Sequence, residues 1–360
     1  MDMQQIKRHS GPHGLSLKKL CALCIILFTI VTAGCATKVR INMLQPAEYH
    51  QASLTKTVAV LPFTGPGGEE FAAEIEGALV SKSIDDKQYF TLVDRASIDK
   101  ILSEQQFSQS ALIDQKTAAK IGKLVGAQGI YTGMVTASQV KDSTYREKRQ
   151  ECVQHEIKRD KKGNEYQGKC IQWRNYYVSC TKRDAHFSVT PKLIEVGTAK
   201  ILYSRNLSKA ATSSGCEDRS PPEDEQVLLG GVKEVVKRQF IKDVAPYYVT
   251  VEITLMDSTD QIDSADARDK LNQGLEYAGG GRMDNACELW GQARILAPNS
   301  PAILYNLGVC AESRGDADAA LGLYKQADKL LGKPDDAITL ALNRVSLAIK
   351  NRQKLTQQIK

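Results

Sequence analysis

Histidine is scarce in this chain, with five residues in 360, and only His50, His155 and His186 follow position 34. They are isolated from one another, and no nucleophile with a base and an orienting partner can be assembled around them. The chain is therefore read as non-enzymatic, with no cofactor and no metal. The glycine-rich turn GPGGEE (65–70) lacks a Gly-Lys-Ser/Thr ending and contains no lysine, and its Glu69 and Glu70 would repel phosphate. It is read as a turn between a strand and a helix. Asp94 and Arg95 at a strand end are read as an ion pair or helix cap. A large charge surplus is also missing: the formal net charge is +6. That is too little for the basic footprint of a nucleic-acid protein, so no nucleic-acid partner is expected.

A long apolar run is absent as well. The run LCALCIILFTIV (Leu20–Val31) is twelve residues long, short of the about 20 needed to span a bilayer. With Lys7, Arg8, Lys18 and Lys19 before it and the small residues Ala33 and Gly34 after it, it has the form of a signal peptide over 1–34. Cleavage before Cys35 would expose a cysteine, and Ala33-Gly34-Cys35 resembles the lipobox of bacterial lipoproteins, although Thr32 stands where leucine is usual. Ala36 follows, so no aspartate argues for inner-membrane retention. The resemblance implies lipidation at Cys35 and an outer-membrane lipoprotein facing the periplasm, held firmly by several acyl chains. Loss of residues 1–34 removes four basic residues and one acidic residue, leaving a charge of about +3. Six further cysteines remain, Cys152, Cys170, Cys180, Cys216, Cys287 and Cys310. An even set in an oxidising compartment favours disulfides.

Residues 35–56 lack periodicity and read as a tether. TVAVLPF (57–63) is a nearly continuous apolar run, as in a strand covered on both faces. A helix with Phe71, Ile75 and Leu79 on one stripe follows, then the strand YFTLVD (89–94). Two amphipathic helices come next, RASIDKILSEQQF and DQKTAAKIGKLVG, the second capped by Asp114 and ended by Gly126. AQGIYTGMVTAS returns as a strand. A strand pair turns at Val196-Gly197, a helix ends before Pro246, and YVTVEITLMD closes the domain. Alternating strands and helices imply an α/β sandwich over 57–257.

Residues 264–352 differ. A shift of 34 pairs Gly274 with Gly308, Gly281 with Gly315, Ala286 with Ala320, Trp290 with Tyr324, Ala293 with Ala327, and Leu296 with Leu330. This is the tetratricopeptide period, so an all-α helical-repeat module with a capping helix is predicted. With repeat one starting at Ala267, the groove-side candidates for partner binding are Arg268, Asn272, Tyr305, Asn306 and Glu312. Packing of this groove against the chain's own first domain is the competing expectation. Cys287 and Cys310 fall on helices that pack together, so a disulfide between them is one option and two buried thiols the other.

TVAVLPF, YFTLVDRASIDKILSEQQ and DQKTAAKIGKLVGAQGIYTGMVT together resemble the curli-secretion lipoprotein (CsgG-like) family, and PKLIEVGTAKILYS resembles that family's strand pair. The resemblance covers 57–138 and 187–255. It implies a CsgG-like domain, often coupled to tetratricopeptide repeats, in lipoproteins that serve envelope assembly or secretion. Some relatives form channels by inserting two amphipathic hairpins per subunit into the membrane, so a homo-oligomer and a curli-type outer-membrane channel stand as alternatives.

The insertion at 139–186 lies where the first such hairpin would be. Its CVQHEIKRDKKGNEYQGKC (152–170) carries charge on both alternating faces, which opposes a lipid-facing strand. Lys141–Arg183 holds twelve basic and six acidic residues. With Trp173, Tyr176 and Tyr177 interleaved, it is a basic protrusion that could contact anionic lipid headgroups, peptidoglycan or an acidic partner, or could simply be solvated. Cys152–Cys170 would staple its arms around Lys162-Gly163-Asn164, and Cys180–Cys216 would tie it to the next loop; other pairings of the four are open, and a zinc site on Cys152, His155, Cys170 and Cys180 lacks a second closely spaced ligand pair. The reading as a whole is an outer-membrane, periplasm-facing lipoprotein scaffold or accessory factor that binds an envelope-assembly or secretion partner.

Overall fold

The computed structural model describes residues 36–94, 96, 98, 100 and 114–360. The expected signal peptide, the lipidation candidate Cys35, Arg95 and most of the helix expected over 95–107 lie outside the described residues. The chain divides into an α/β unit, Asn42–Val249 with Leu347–Lys360, and a helical unit, Thr250–Ser346 with residues 36–41.

Strand β2 (Thr57–Val60) shows why its sequence is apolar without alternation. Val58 and Val60 join one core with helix α2 (Gly68–Val80) and helix α4 (Glu225–Val244), through Phe71, Ile75, Leu79, Val232, Val236 and Phe240. Ala59 and Leu61 join a second core with helix α3 (Gln115–Val125), through Ala118 and Ile121. Successive residues of a strand point to opposite faces, and here both faces are covered by helices.

The central sheet is mixed. β2 pairs in parallel with β5 (Thr91–Leu92) and with β6 (Gly129–Arg159). β6 pairs antiparallel with β7 (Glu165–Glu195), which in turn pairs antiparallel with β8 (Ile201–Ser204) and β9 (Leu207–Cys216). A small hairpin of β3 (Ser83–Ile84) and β4 (Lys87–Gln88) precedes β5. Asp114 caps α3 by accepting from the Thr117 N–H at 2.7 Å, and Gly126 ends it at φ +74°. The GPGGEE turn is close-packed: a Cβ at Gly65 would lie 2.0 Å from the Val135 carbonyl oxygen, and one at Gly68 would lie 2.4 Å from that of Phe63. These glycines are there for packing.

Three expectations need correction. Residues 35–56 are not a plain tether: β1 spans Lys38–Gln45 and helix α1 spans His50–Leu54. Buried Val39 and Ile41 alternate with exposed Lys38 and Arg40, an alternation too brief to stand out in sequence. The strand expected to close the domain, β10 (Tyr247–Thr254), pairs with β1 in a two-stranded sheet separate from the central one. The segment up to Cys216 is strand β9 rather than a loop, because Leu207–Cys216 zips along ten residues of β7.

The helical unit contains two helical hairpins. Helices α5 (Ala265–Gly279) and α6 (Met283–Leu296) form the first, and α7 (Pro301–Ser313) and α8 (Ala317–Leu331) form the second. The shift of 34 is physical. A Cβ at Gly274 would come within 2.2 Å of the Trp290 indole, and one at Gly308 within 2.4 Å of the Tyr324 ring. Gly281 and Gly315 both sit at φ +79°, turning each hairpin. Helix α9 (Asp336–Ile359) buries Ile338, Ala341 and Val345 in this unit. It extends past the expected end at 352, and its residues from Leu347 onward belong to the α/β unit.

Candidate functional site

Beyond the rung Tyr145–Cys180, β6 and β7 continue as a two-stranded ribbon, since β9 ends opposite Cys180. At strand rise, the free part reaches roughly 45 Å. No residue from 141 to 177 is buried. A lone two-stranded ribbon is marginal in water, and two cross-strand disulfides hold this one. Cys152–Cys170 staples its distal part, and Cys180–Cys216 fastens its root to β9, with Val178 and Tyr176 packed alongside. Four groups are thereby removed as metal ligands. Glu147, Cys180 and Cys216 do lie close together, but both sulfurs are spent in the disulfide.

Cross-strand partners share a face, so the register assigns the side chains. One face carries Arg146, Lys148, Gln150, Asn175, Tyr177 and Trp173; the other carries Glu147, Arg149, Glu151, Arg174 and Tyr176. Neither has the continuous apolar band of a lipid-facing strand. Register shifts at Cys152/Gln154, Gln154/His155 and His155/Ile157 break the distal ladder, and such bulges disfavour edge-to-edge pairing.

The ribbon's carboxylates are internally engaged. Glu147 pairs with Arg149 at 2.7 Å, Glu156 with Lys158 at 3.4 Å and Glu165 with Arg159 at 2.6 Å, and Glu151 pairs with Arg174. Asp160 accepts from the Asn164 and Lys162 N–H groups at 2.9 and 2.8 Å, which holds its carboxyl below the usual range and shapes the turn at Gly163 (φ +84°). At the root, Arg183 forks onto Asp142, lowering that carboxyl.

In the helical unit the groove candidates separate. Asn272 is exposed. Arg268 donates to the Ile262 carbonyl at 2.6 Å, within its own approach loop. Tyr305, Asn306 and Glu312 are buried, so the expectation that they face a partner is corrected: the chain itself occupies their groups. Tyr305 donates to the Thr254 carbonyl at 3.1 Å. Asn306 accepts from the Met256 N–H and donates to the Met256 carbonyl. Glu312 accepts from the Tyr324 hydroxyl at 2.8 Å and pairs bidentately with Arg344. Burial raises the Tyr305 hydroxyl to about 12. Cys287 and Cys310 are disulfide-bonded, joining α6 to α7.

Sequence reading missed the buried Asp243. It accepts from Tyr203 at 2.8 Å, Gln239 at 2.8 Å and Arg205 at 2.7 Å, and its burial raises the carboxyl. Gln239 is one helical turn from Asp243, but only the long-range fold brings Tyr203 and Arg205 to it, so no local pattern could have signalled the network.

Residues 55–219 match the family model described as "Curli production assembly/transport component CsgG". The resemblance read from sequence is borne out over that stretch, which carries a CsgG family domain. No curated protein matches the sequence. Among solved structures, the chain is similar to the LpoB C-terminal domain from Salmonella enterica (14% identity, TM-score 0.25, 43% of this chain and 82% of that one). It is also similar to lipoprotein GNA1162 from Neisseria meningitidis (12%, TM-score 0.25, 51% and 97%). A third is the PelC dodecamer from Paraburkholderia phytofirmans (12%, TM-score 0.24, 57% and 98%). Among the described residues, no helix is long and apolar enough to cross a membrane.

Proposed function

We propose that this chain, with a CsgG family domain at residues 55–219, is a lipid-anchored, periplasm-facing accessory factor for envelope assembly or secretion. It acts by holding protein partners, neither catalysing a reaction nor forming a pore. The observation that carries the reading is the ribbon Tyr145–Cys180, charged on both faces and broken by three register shifts. A channel strand needs a lipid-facing apolar band about ten residues long, and a mid-bilayer Lys or Arg there costs about 2–4 kcal/mol. Three disulfides support an oxidising compartment, and Ala33-Gly34-Cys35 supports lipidation at Cys35 on the outer membrane.

The repeated hairpins, with Gly274 under Trp290 and Gly308 under Tyr324, support a tetratricopeptide module. Its second repeat is engaged with Thr254 and Met256, so the proposed partner surface shifts to the exposed Asn272 and its neighbours on the first repeat.

The mass of the protein extracted from the envelope tests the anchoring. The expected species begins at Cys35 and carries acyl chains; an unmodified Cys35 in an uncleaved or soluble chain rejects it. A photo-crosslinker at position 272 should capture a discrete envelope protein, and capture at position 173 alone would move the partner surface to the ribbon.

A further inference from the structure

The distal ribbon combines two properties on one stretch of chain. The first is a one-sided charge excess. Each carboxylate between 146 and 179 is paired or bound in the turn, as described above, whereas Lys161, Lys162 and Lys169 are exposed and engaged in no ion pair among the described residues. The second is apolar exposure. Val153 (46%), Ile157 (62%), Ile171 (60%) and Trp173 (59%) stand open on the same part of the ribbon, with Tyr166 and Tyr177 beside them. Ile171 and Val153 fall at the register shifts, where the backbone turns side chains out of the regular ladder.

We propose that the distal ribbon is a peripheral docking element for an anionic bilayer surface. A soluble polyanion would answer the lysines but leave the isoleucines and Trp173 in water. An apolar protein groove would answer the isoleucines but desolvate lysines that have no counter-charge. The interface of an anionic bilayer satisfies both: lysines at the phosphates, tryptophan and tyrosine at headgroup level, aliphatic side chains at the acyl boundary. The contact is shallow, since charged residues on both faces forbid a span. It requires neither the acyl anchor nor the partner-holding role proposed above.

The test uses the chain from residue 35 onward as Cys35→Ser, which has no lipid of its own, with phosphatidylcholine vesicles with and without phosphatidylglycerol. Because Trp290 is fully buried, a change in tryptophan emission on binding reports Trp173. Sedimentation with phosphatidylglycerol vesicles, a blue shift and release by salt are expected. The triple variant Lys161→Glu, Lys162→Glu, Lys169→Glu, at three exposed positions, should weaken binding by about a hundredfold; Trp173→Ala should abolish the blue shift. Equal binding to both vesicle types, or unchanged binding by the triple variant, overturns the proposal. So does binding to poly-glutamate as tight as to vesicles with no blue shift, which would assign the lysines to a polyanion.

Discussion

Asn306 holds Met256 by both main-chain groups: its side-chain oxygen accepts from the Met256 N–H at 3.0 Å, and its nitrogen donates to the Met256 carbonyl at 2.8 Å. The side chain is fully buried. Asn306→Ala therefore strands two polar groups and should cost about 1–3 kcal/mol. Asn272→Ala, at the equivalent but exposed position, should stay within about 0.5 kcal/mol. Urea unfolding followed by the emission of buried Trp290 measures both, and equal effects would refute the self-filled groove.

The glycine contacts give a second contrast. Gly308→Ala drives a methyl into the Tyr324 ring and should destabilise the helical unit by about 1–3 kcal/mol. Gly322→Ala lies in the middle of α8 with nothing within 4 Å of the new methyl, and should stabilise by about 0.5–1 kcal/mol.

Much of this was legible in the sequence where a signal is local and repeated. The shift of 34 is carried by residues that touch each other, Gly274 with Trp290 and Gly308 with Tyr324, so covariation of size shows in a single chain. The apolar run of β2 and the Asp114 cap are equally local. Long-range relationships were not legible. The pairing of β1 with β10 joins segments some 200 residues apart, and Lys38–Gln45 offers only two buried residues as a hint. The choice between a partner and the chain's own backbone at Tyr305 and Asn306 was open for the same reason: nothing near them states that Thr254 and Met256 will lie against them. Cys152–Cys170 and Cys180–Cys216 could be proposed but not chosen over the alternatives until the register of β6, β7 and β9 was known.

Cys152–Cys170 closes a loop with a sequence separation of 18, and a closure of that size contributes about 3 kcal/mol in the loop-entropy account. The distal ribbon has no buried core to replace it. Cys152→Ser with Cys170→Ser should therefore strip amide protection from 150–173 in hydrogen exchange, leaving β2 and α4 protected. Loss of protection throughout the α/β unit would mean the ribbon is part of the core's cooperative unit.

Lys56 gives a pH signature. Its ammonium lies 3.4 Å from the centre of the Tyr89 ring and donates to the Gln358 carbonyl, and burial lowers it from 10.5 to about 8. Folded Lys56 holds its proton more weakly than unfolded Lys56, so between about pH 8 and about 10.5 unfolding takes up protons and stability rises with pH. Below that window both states are charged, and the burial cost is present in full. Subtracting the urea midpoints of Lys56→Met from those of the native chain across this range should give a rising difference. A flat difference would mean that Lys56 titrates normally.

Conductance across planar bilayers exposed to the purified chain from Cys35 onward tests the central claim most directly. A ribbon charged on both faces predicts association without conductance, at any protein concentration that leaves the bilayer intact. Reproducible unitary currents, with ring-shaped oligomers in the same preparation, would contradict the account and make the chain a channel.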